Sequence, residues 1–182
     1  MPPITITSPA ELYSRHAEIL AAARRTTATL ARLLTKFHGI DLLHRLKFEK
    51  VAANPFGSEK EYNFVESLNL SFTALVTLAG VRWILHRHPA ALPMHVNLGQ
   101  AAGHDICCEA AGIAAECFAA VSPNNNKKLQ HDRERLLSAH ERYRHKYLFL
   151  YSPSREPKAP ANDGSILVVD LPPDELYFRS PR

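Results

Sequence analysis

From Phe64 to Leu85 the chain is apolar around most of a helical circumference, and this stretch constrains the possible folds more than any other. At about 100° per residue, Phe64, Val65, Leu68, Phe72, Leu75, Val76, Ala79 and Trp83 fall on one face, while Leu70, Val81, Ile84 and Leu85 cover much of the other. A helix apolar on most sides must be packed on most sides. Asn69, Ser71, Thr73, Thr77 and Arg82 interrupt the run, which favours a buried helix of a soluble protein over a membrane span. Just ahead, Ser58-Glu59-Lys60-Glu61 has the form of a capping box, so the spacing predicts a helix over 58–87, held between a sheet and N-terminal helices.

The remaining sequence supplies both partners. Ser8-Pro9 followed by Glu11 opens a long first helix, 9–37, ended by Gly39; a short helical piece, 40–46, precedes the turn-rich Asn54-Pro55-Phe56-Gly57. After Pro89 and Pro93 the period becomes extended, and 94–98, 105–108 and 113–121 read as strands separated by hairpin-compatible turns. A charged amphipathic helix over 126–144, a strand over 146–151, a Pro-rich loop over 153–161 and an edge strand over 166–170 complete the order. With 182 residues, 46% of them hydrophobic, the chain suits one globular unit. It divides into an N-terminal helical extension (1–57), a core (58–152) and a Pro-rich loop with tail (153–182). Cys107, Cys108 and Cys117 are too few and too clustered for a disulfide framework, and the opening residues show no secretory pattern. The expectation is a cytoplasmic α/β protein without a membrane anchor.

Two carboxylates stand at particular points of this order. Asp105 heads the second strand and Glu116 lies within the third, so an antiparallel hairpin can make them cross-strand neighbours on one face. Glu116 sits inside Ile-Ala-Ala-Glu-Cys-Phe-Ala-Ala-Val, apolar on both sides, and therefore needs a partner. Paired carboxylates on a sheet repel unless a hard divalent cation bridges them.

In Gly103-His104-Asp105-Ile106, in Ile113 to Phe118 and in its order of elements, the stretch 58–152 resembles the PD-(D/E)XK nuclease superfamily. The resemblance implies a restriction-endonuclease-like αβββαβ core, a mixed sheet flanked by helices. It also implies an endonuclease that hydrolyses phosphodiester bonds, DNA favoured, with Mg2+ or Mn2+ activating water. Asp105 and Glu116 would be metal ligands, joined by Glu61, or by Glu66 in its place, from the first core helix. The family's motif lysine would stand two residues after Glu116, where this chain has Phe118, so the amine would come from Lys127 or Lys128. Cutting both strands of a duplex would suit a homodimer. The alternative is a nuclease-like fold without catalysis that binds protein or nucleic acid.

Charge adds a second signal. Residues 127–146 hold seven basic and three acidic side chains, a net excess equal to the +4 of the whole chain. Asn124, Asn125, Asn126, Lys127, Lys128, Arg133 and Arg135 could clamp a nucleic-acid backbone, or form an ordinary solvated face. Simpler roles compete elsewhere: a capping function for Glu61, a turn position for Asp105, buried packing for the cysteines and helix-end capping for His86 and His88.

Overall fold

In the computed structural model, residues 3–57, 59–99, 101–122, 127–139, 142–153 and 165–178 are described. Six strands form one mixed sheet in chain order: β1 (Ile4–Ile6), β2 (Met94–Val96), β3 (Ile106–Cys108), β4 (Ile113–Ala119), β5 (His145–Tyr151) and β6 (Leu167–Asp170). The pairs β1–β2, β2–β3 and β3–β4 are antiparallel, whereas β4–β5 and β5–β6 run parallel. The helices are α1 (Pro9–Leu34), α2 (Gly39–Phe48), α3 (Phe64–Arg87), α4 (Lys128–Ser138) and the single turn α5 (Pro173–Leu176). The protein is thus α/β, a mixed sheet flanked by helices.

β4 is buried on both sides, and its alternation separates two packing layers. Ala115 and Cys117 join the larger core with α3, Ile106, Tyr147 and Phe149. Ala114, Glu116 and Phe118 point the other way, where Ala114 and Phe118 pack with Leu129 and Leu136 of α4 and with Leu148 and Leu150. α3 lies so close to the sheet at Gly80 that an added Cβ would stand 2.8 Å from the Phe149 ring. α1 covers the outer side of α3, and the tail folds back to it through Arg82–Glu175 at 2.9 Å and through the buried His16, whose Nε2 is 2.8 Å from the Leu176 carbonyl. α3 is the one helix among the described residues long and apolar enough to cross a membrane by length and composition, and here its Ala74–Val81 stretch is buried in the core. Its first turns stay open, with Val65 and Leu68 exposed, so packing on most sides holds only for the later turns.

Several boundaries differ from the sequence reading. α3 starts at Phe64 because the preceding chain is used in a β-bridge between Ala52 and Tyr62, and Asn63 caps the helix by accepting from the Glu66 N–H at 2.8 Å. Ser58 lies outside the described residues, and Glu61 stands before the helix rather than on it. α1 stops at Leu34, three residues early, with the Thr35 N–H turned to the Leu33 carbonyl. β1 is an additional edge strand: Ile4 to Ile6 bury one side against β2 while Glu11 accepts from the Thr7 N–H. His88 does not serve α3 as a cap through its ring, whose Nε2 lies 2.6 Å from the Tyr147 hydroxyl.

Candidate functional site

The β3–β4 ladder pairs Ile106 with Ala115, so one further step sets Asp105 opposite Glu116 on the face that α4 covers. The two carboxylates are neighbours, as the hairpin spacing predicts. Asp105 Oδ2 accepts from the Cys117 N–H at 2.8 Å. Burial, and then the charge of Glu116, push its carboxyl up to about 7, against the pull of the Cys117 N–H and Lys128.

Glu116 is fully buried and held from two sides. Its Oε1 lies 2.7 Å from His104 Nδ1 and its Oε2 lies 3.0 Å from Arg135 Nη1. Arg135 also donates to the Gly103 carbonyl, tying α4 to the loop that carries His104 and Asp105. Asp132, buried on the same side, receives Lys128 Nζ at 2.6 Å on Oδ1, while its Oδ2 has no hydrogen-bond partner among the described residues. Burial raises the Asp132 pKa and Lys128 draws it down. Lys128, Asp132 and Arg135 recur at helical spacing, so α4 presents all three to the sheet beside its buried Leu129 and Leu136. The result is three carboxylates, a lysine, an arginine and a histidine between two strands and one helix.

The sequence-predicted residues divide accordingly. Asp105, Glu116, Lys128 and Arg135 come together. Lys127 is exposed at the N-cap of α4, in left-handed backbone with φ 55. Arg133 is half-buried. Asn124, Asn125 and Asn126 lie outside the described residues. Glu61 is exposed and lines a separate cavity with Arg25, Arg32 and Glu59; Glu66 is exposed and accepts from the Asn63 side chain at 3.2 Å. The larger core puts α3 on the sheet face away from Glu116, so neither acid joins the cluster. Asp132 is the partner to which the sequence assigns no site role, and His104, beside Asp105 in the chain, joins the cluster through Glu116. The spacing Lys128-Asp132-Arg135, in register with Leu129 and Leu136, was the available signal for Asp132. Phe118 is buried among the apolar residues under α4. Arg135, 44% exposed, turns its guanidinium to Glu116 and the Gly103 carbonyl while still reaching water.

An open cavity of about 750 Å3 adjoins the cluster, lined by Gly103, His104, Cys107, Glu109, Arg142 and Tyr143 among others. His104 stands between the two, with Glu116 on one ring nitrogen and the Tyr143 ring edge-on at 5.4 Å. Burial, and then Glu109, keep the Cys107 thiol protonated by raising its pKa, an environment unlike that of an activated thiolate.

The donors of the cluster are hard oxygens, suited in kind to Mg2+ or Mn2+. Two features fit such an ion: the buried Asp132 Oδ2 without a hydrogen-bond partner, and the repulsion between Asp105 and Glu116. Among the described residues, no three His, Cys, Asp or Glu side chains are gathered as a ready ligand set, and Glu116 is held by Arg135 and His104.

Asp105 gives the protein a pH dependence of definite sign. Its folded pKa, about 7, exceeds the ordinary carboxylate value, so its stabilising contribution is complete below about pH 4 and is lost as pH rises through about 7. Asp105→Asn keeps an oxygen for the Cys117 N–H and removes the charge. It is expected to be more stable than the native chain at pH 8 by roughly 1–3 kcal/mol, with the gap closing near pH 4. Urea midpoints across that range check this, and equal midpoints at pH 8 would contradict it.

Comparison with protein-family models, with curated proteins and with solved structures found no match for this chain.

Proposed function

We propose that the chain is a metal-dependent endonuclease of the PD-(D/E)XK type, hydrolysing phosphodiester bonds, with DNA the favoured substrate. The observation that carries this reading is the approach of a lysine amine from α4, Lys128, to a buried carboxylate cluster whose motif-lysine position is taken by Phe118. Asp105, Glu116 and Asp132 would hold Mg2+ or Mn2+, with Asp132 in the place expected for Glu61 or Glu66. When bound, the ion supplies an activated water and offsets charge developing on the phosphate. Lys128 holds its ammonium beside Asp132, where it can orient a phosphate oxygen. His104, kept in orientation by Glu116, faces the adjoining cavity with a nitrogen able to carry a proton. Arg135 neutralises Glu116 in the absence of the ion and must yield that oxygen for ligation.

The second reading, a catalytically inactive fold that binds protein or nucleic acid, is favoured by one observation: both Glu116 oxygens already have protein neighbours, His104 Nδ1 at one and Arg135 Nη1 at the other.

Calorimetric titration with Mg2+ and Mn2+, combined with incubation of plasmid, single-stranded DNA and RNA, separates the readings. The enzyme reading expects saturable metal binding and cleavage, with Lys128→Met keeping the metal and losing cleavage by about 100-fold, equal to ~2.7 kcal/mol of barrier. No metal uptake and no cleavage by the native chain would overturn it. Nucleic-acid binding without either would establish the second reading.

A further inference from the structure

The outward face of α2 is left uncovered by the fold. None of its ten residues is buried, and helical spacing sorts them into two sides. Leu42, Arg45 and Leu46 are half-buried and form the inner side, where α2 meets α3. Ile40, Leu43, His44 and Lys47 recur at i, i+3, i+4 and i+7 on the opposite side. Phe48 adjoins them, its ring 5.1 Å from that of His44 and 5.2 Å from Lys47 Nζ. Ile40 is 82% exposed, Phe48 64% and Leu43 59%. Three large apolar side chains gathered on one exposed helix face bury little in this fold, and such a patch marks a surface that meets something else.

The charge around this face selects the partner. Residues 24–50 hold seven basic side chains against two acidic ones, a net excess larger than the +4 of the whole chain. Arg45 holds both acids, Asp41 at 3.3 Å and Glu49 at 3.1 Å. Lys36, Lys47 and Lys50 are exposed and have no acidic partner among the described residues. A second copy of the chain would bring a like excess against this one, and like charges repel. A nucleic-acid backbone would match the lysines but offers nothing to Ile40 and Leu43. An anionic lipid surface answers both, with headgroups for the lysines and an acyl boundary for the apolar side chains.

We infer that α2 docks the protein on the surface of an anionic bilayer. Ile40, Leu43 and Phe48 enter the boundary between headgroups and acyl chains, and Lys36, Lys47 and Lys50 meet the lipid phosphates. The contact is peripheral, since ten helical residues span roughly 15 Å, about half the thickness of a hydrocarbon core. Arg45 prepares the face: besides pairing with both acids, it lies 3.8 Å from the centroid of the Phe37 ring, which fixes α2 against the turn that follows α1. Because α2 packs on α3, the helix across the sheet from Glu116, the docking face is separate from the proposed nuclease centre and does not depend on it.

Co-sedimentation of the full chain with vesicles tests this. Vesicles of phosphatidylcholine alone are compared, at low and high salt, with vesicles in which about one-third of the lipid is phosphatidylserine. Saturable binding is expected on the phosphatidylserine vesicles only, weakening at least threefold at high salt. The double variant Ile40→Gln/Leu43→Gln, at exposed positions and with a good helix former, should weaken it at least tenfold. Lys47→Glu should weaken it at least threefold, and Val121→Gln, at an exposed apolar position elsewhere, less than twofold. The inference is overturned if the native chain binds neither vesicle, binds both alike, or is matched within twofold by the double variant. A native dimer that the double variant dissociates would assign the face to a second copy, and duplex DNA binding that it weakens tenfold would assign it to nucleic acid; either result also overturns the lipid docking.

Discussion

Glu116→Ala is expected to lower metal-dependent cleavage by about 1000-fold, equal to ~4 kcal/mol of barrier, while costing the fold little. The functional loss follows from the position of this carboxylate. It opposes Asp105 across the ladder, fixes His104 at 2.7 Å and holds Arg135 at 3.0 Å, so its removal takes away a proposed ligand and releases both neighbours. The modest structural cost has an equally specific cause. Truncating one partner of a buried ion pair commonly costs ~3–5 kcal/mol because the other charge is stranded. Arg135 is 44% exposed and reaches water, so it is not stranded. Asp105 also gains, since the charge that raises its pKa is gone. Urea unfolding at pH 8 should therefore place Glu116→Ala within about 2 kcal/mol of the native chain. Single-turnover cleavage should collapse, and cleavage retained within tenfold would remove Glu116 from the proposed site.

Phe149→Ala is expected to have the opposite profile, a loss of about 3–5 kcal/mol in stability through the core. Phe149 is fully buried at the middle of β5, on the sheet face that meets α3. Trp83 meets its ring edge-on at 5.5 Å, Tyr147 lies at 5.9 Å, and the backbone of Gly80 sits directly above it. The ring fills the space that the missing Gly80 side chain leaves, which lets helix and sheet approach closely. Collapse of the cavity is restricted because the surrounding aromatic and aliphatic groups come from two different elements, each fixed by its own backbone hydrogen bonds. Against a typical domain stability of roughly 5–15 kcal/mol, such a loss leaves the variant near its unfolding threshold. A shift of the urea midpoint without a change in slope measures it; a loss under 1.5 kcal/mol would mean that α3 settles onto the sheet without the ring.

These two residues also mark how much was legible beforehand. Glu116 stood out because a carboxylate in an uninterrupted apolar strand demands partners, and its pairing with Asp105 followed from hairpin spacing. Lys128 was named as a source for the displaced amine, and it lies at the cluster. Asp132 was counted only as a negative charge within a basic helix. Its role depends on which side of α4 meets the sheet, and this is decided by Leu129 and Leu136 packing against Phe118 and Leu148. The proposed acids Glu61 and Glu66 failed to join for a related reason. The β-bridge of Ala52 with Tyr62 delays the start of α3, and that helix covers the other face of the sheet. The basic helix was read as a clamp or a solvated face, but at Arg135 the charge turns inward, because a buried Glu116 attracts a guanidinium more strongly than solvent does.

By itself the sequence determined the class of fold, the order of helix, three strands, helix and strand, and the need for α3 to be covered, because apolar periodicity is a local property of the chain. Tertiary structure alone decided which charges share a site. Whether Asp105, Glu116, Asp132 and Lys128 meet depends on strand register and on the sheet face each helix covers, and both are settled by packing between segments far apart in the chain.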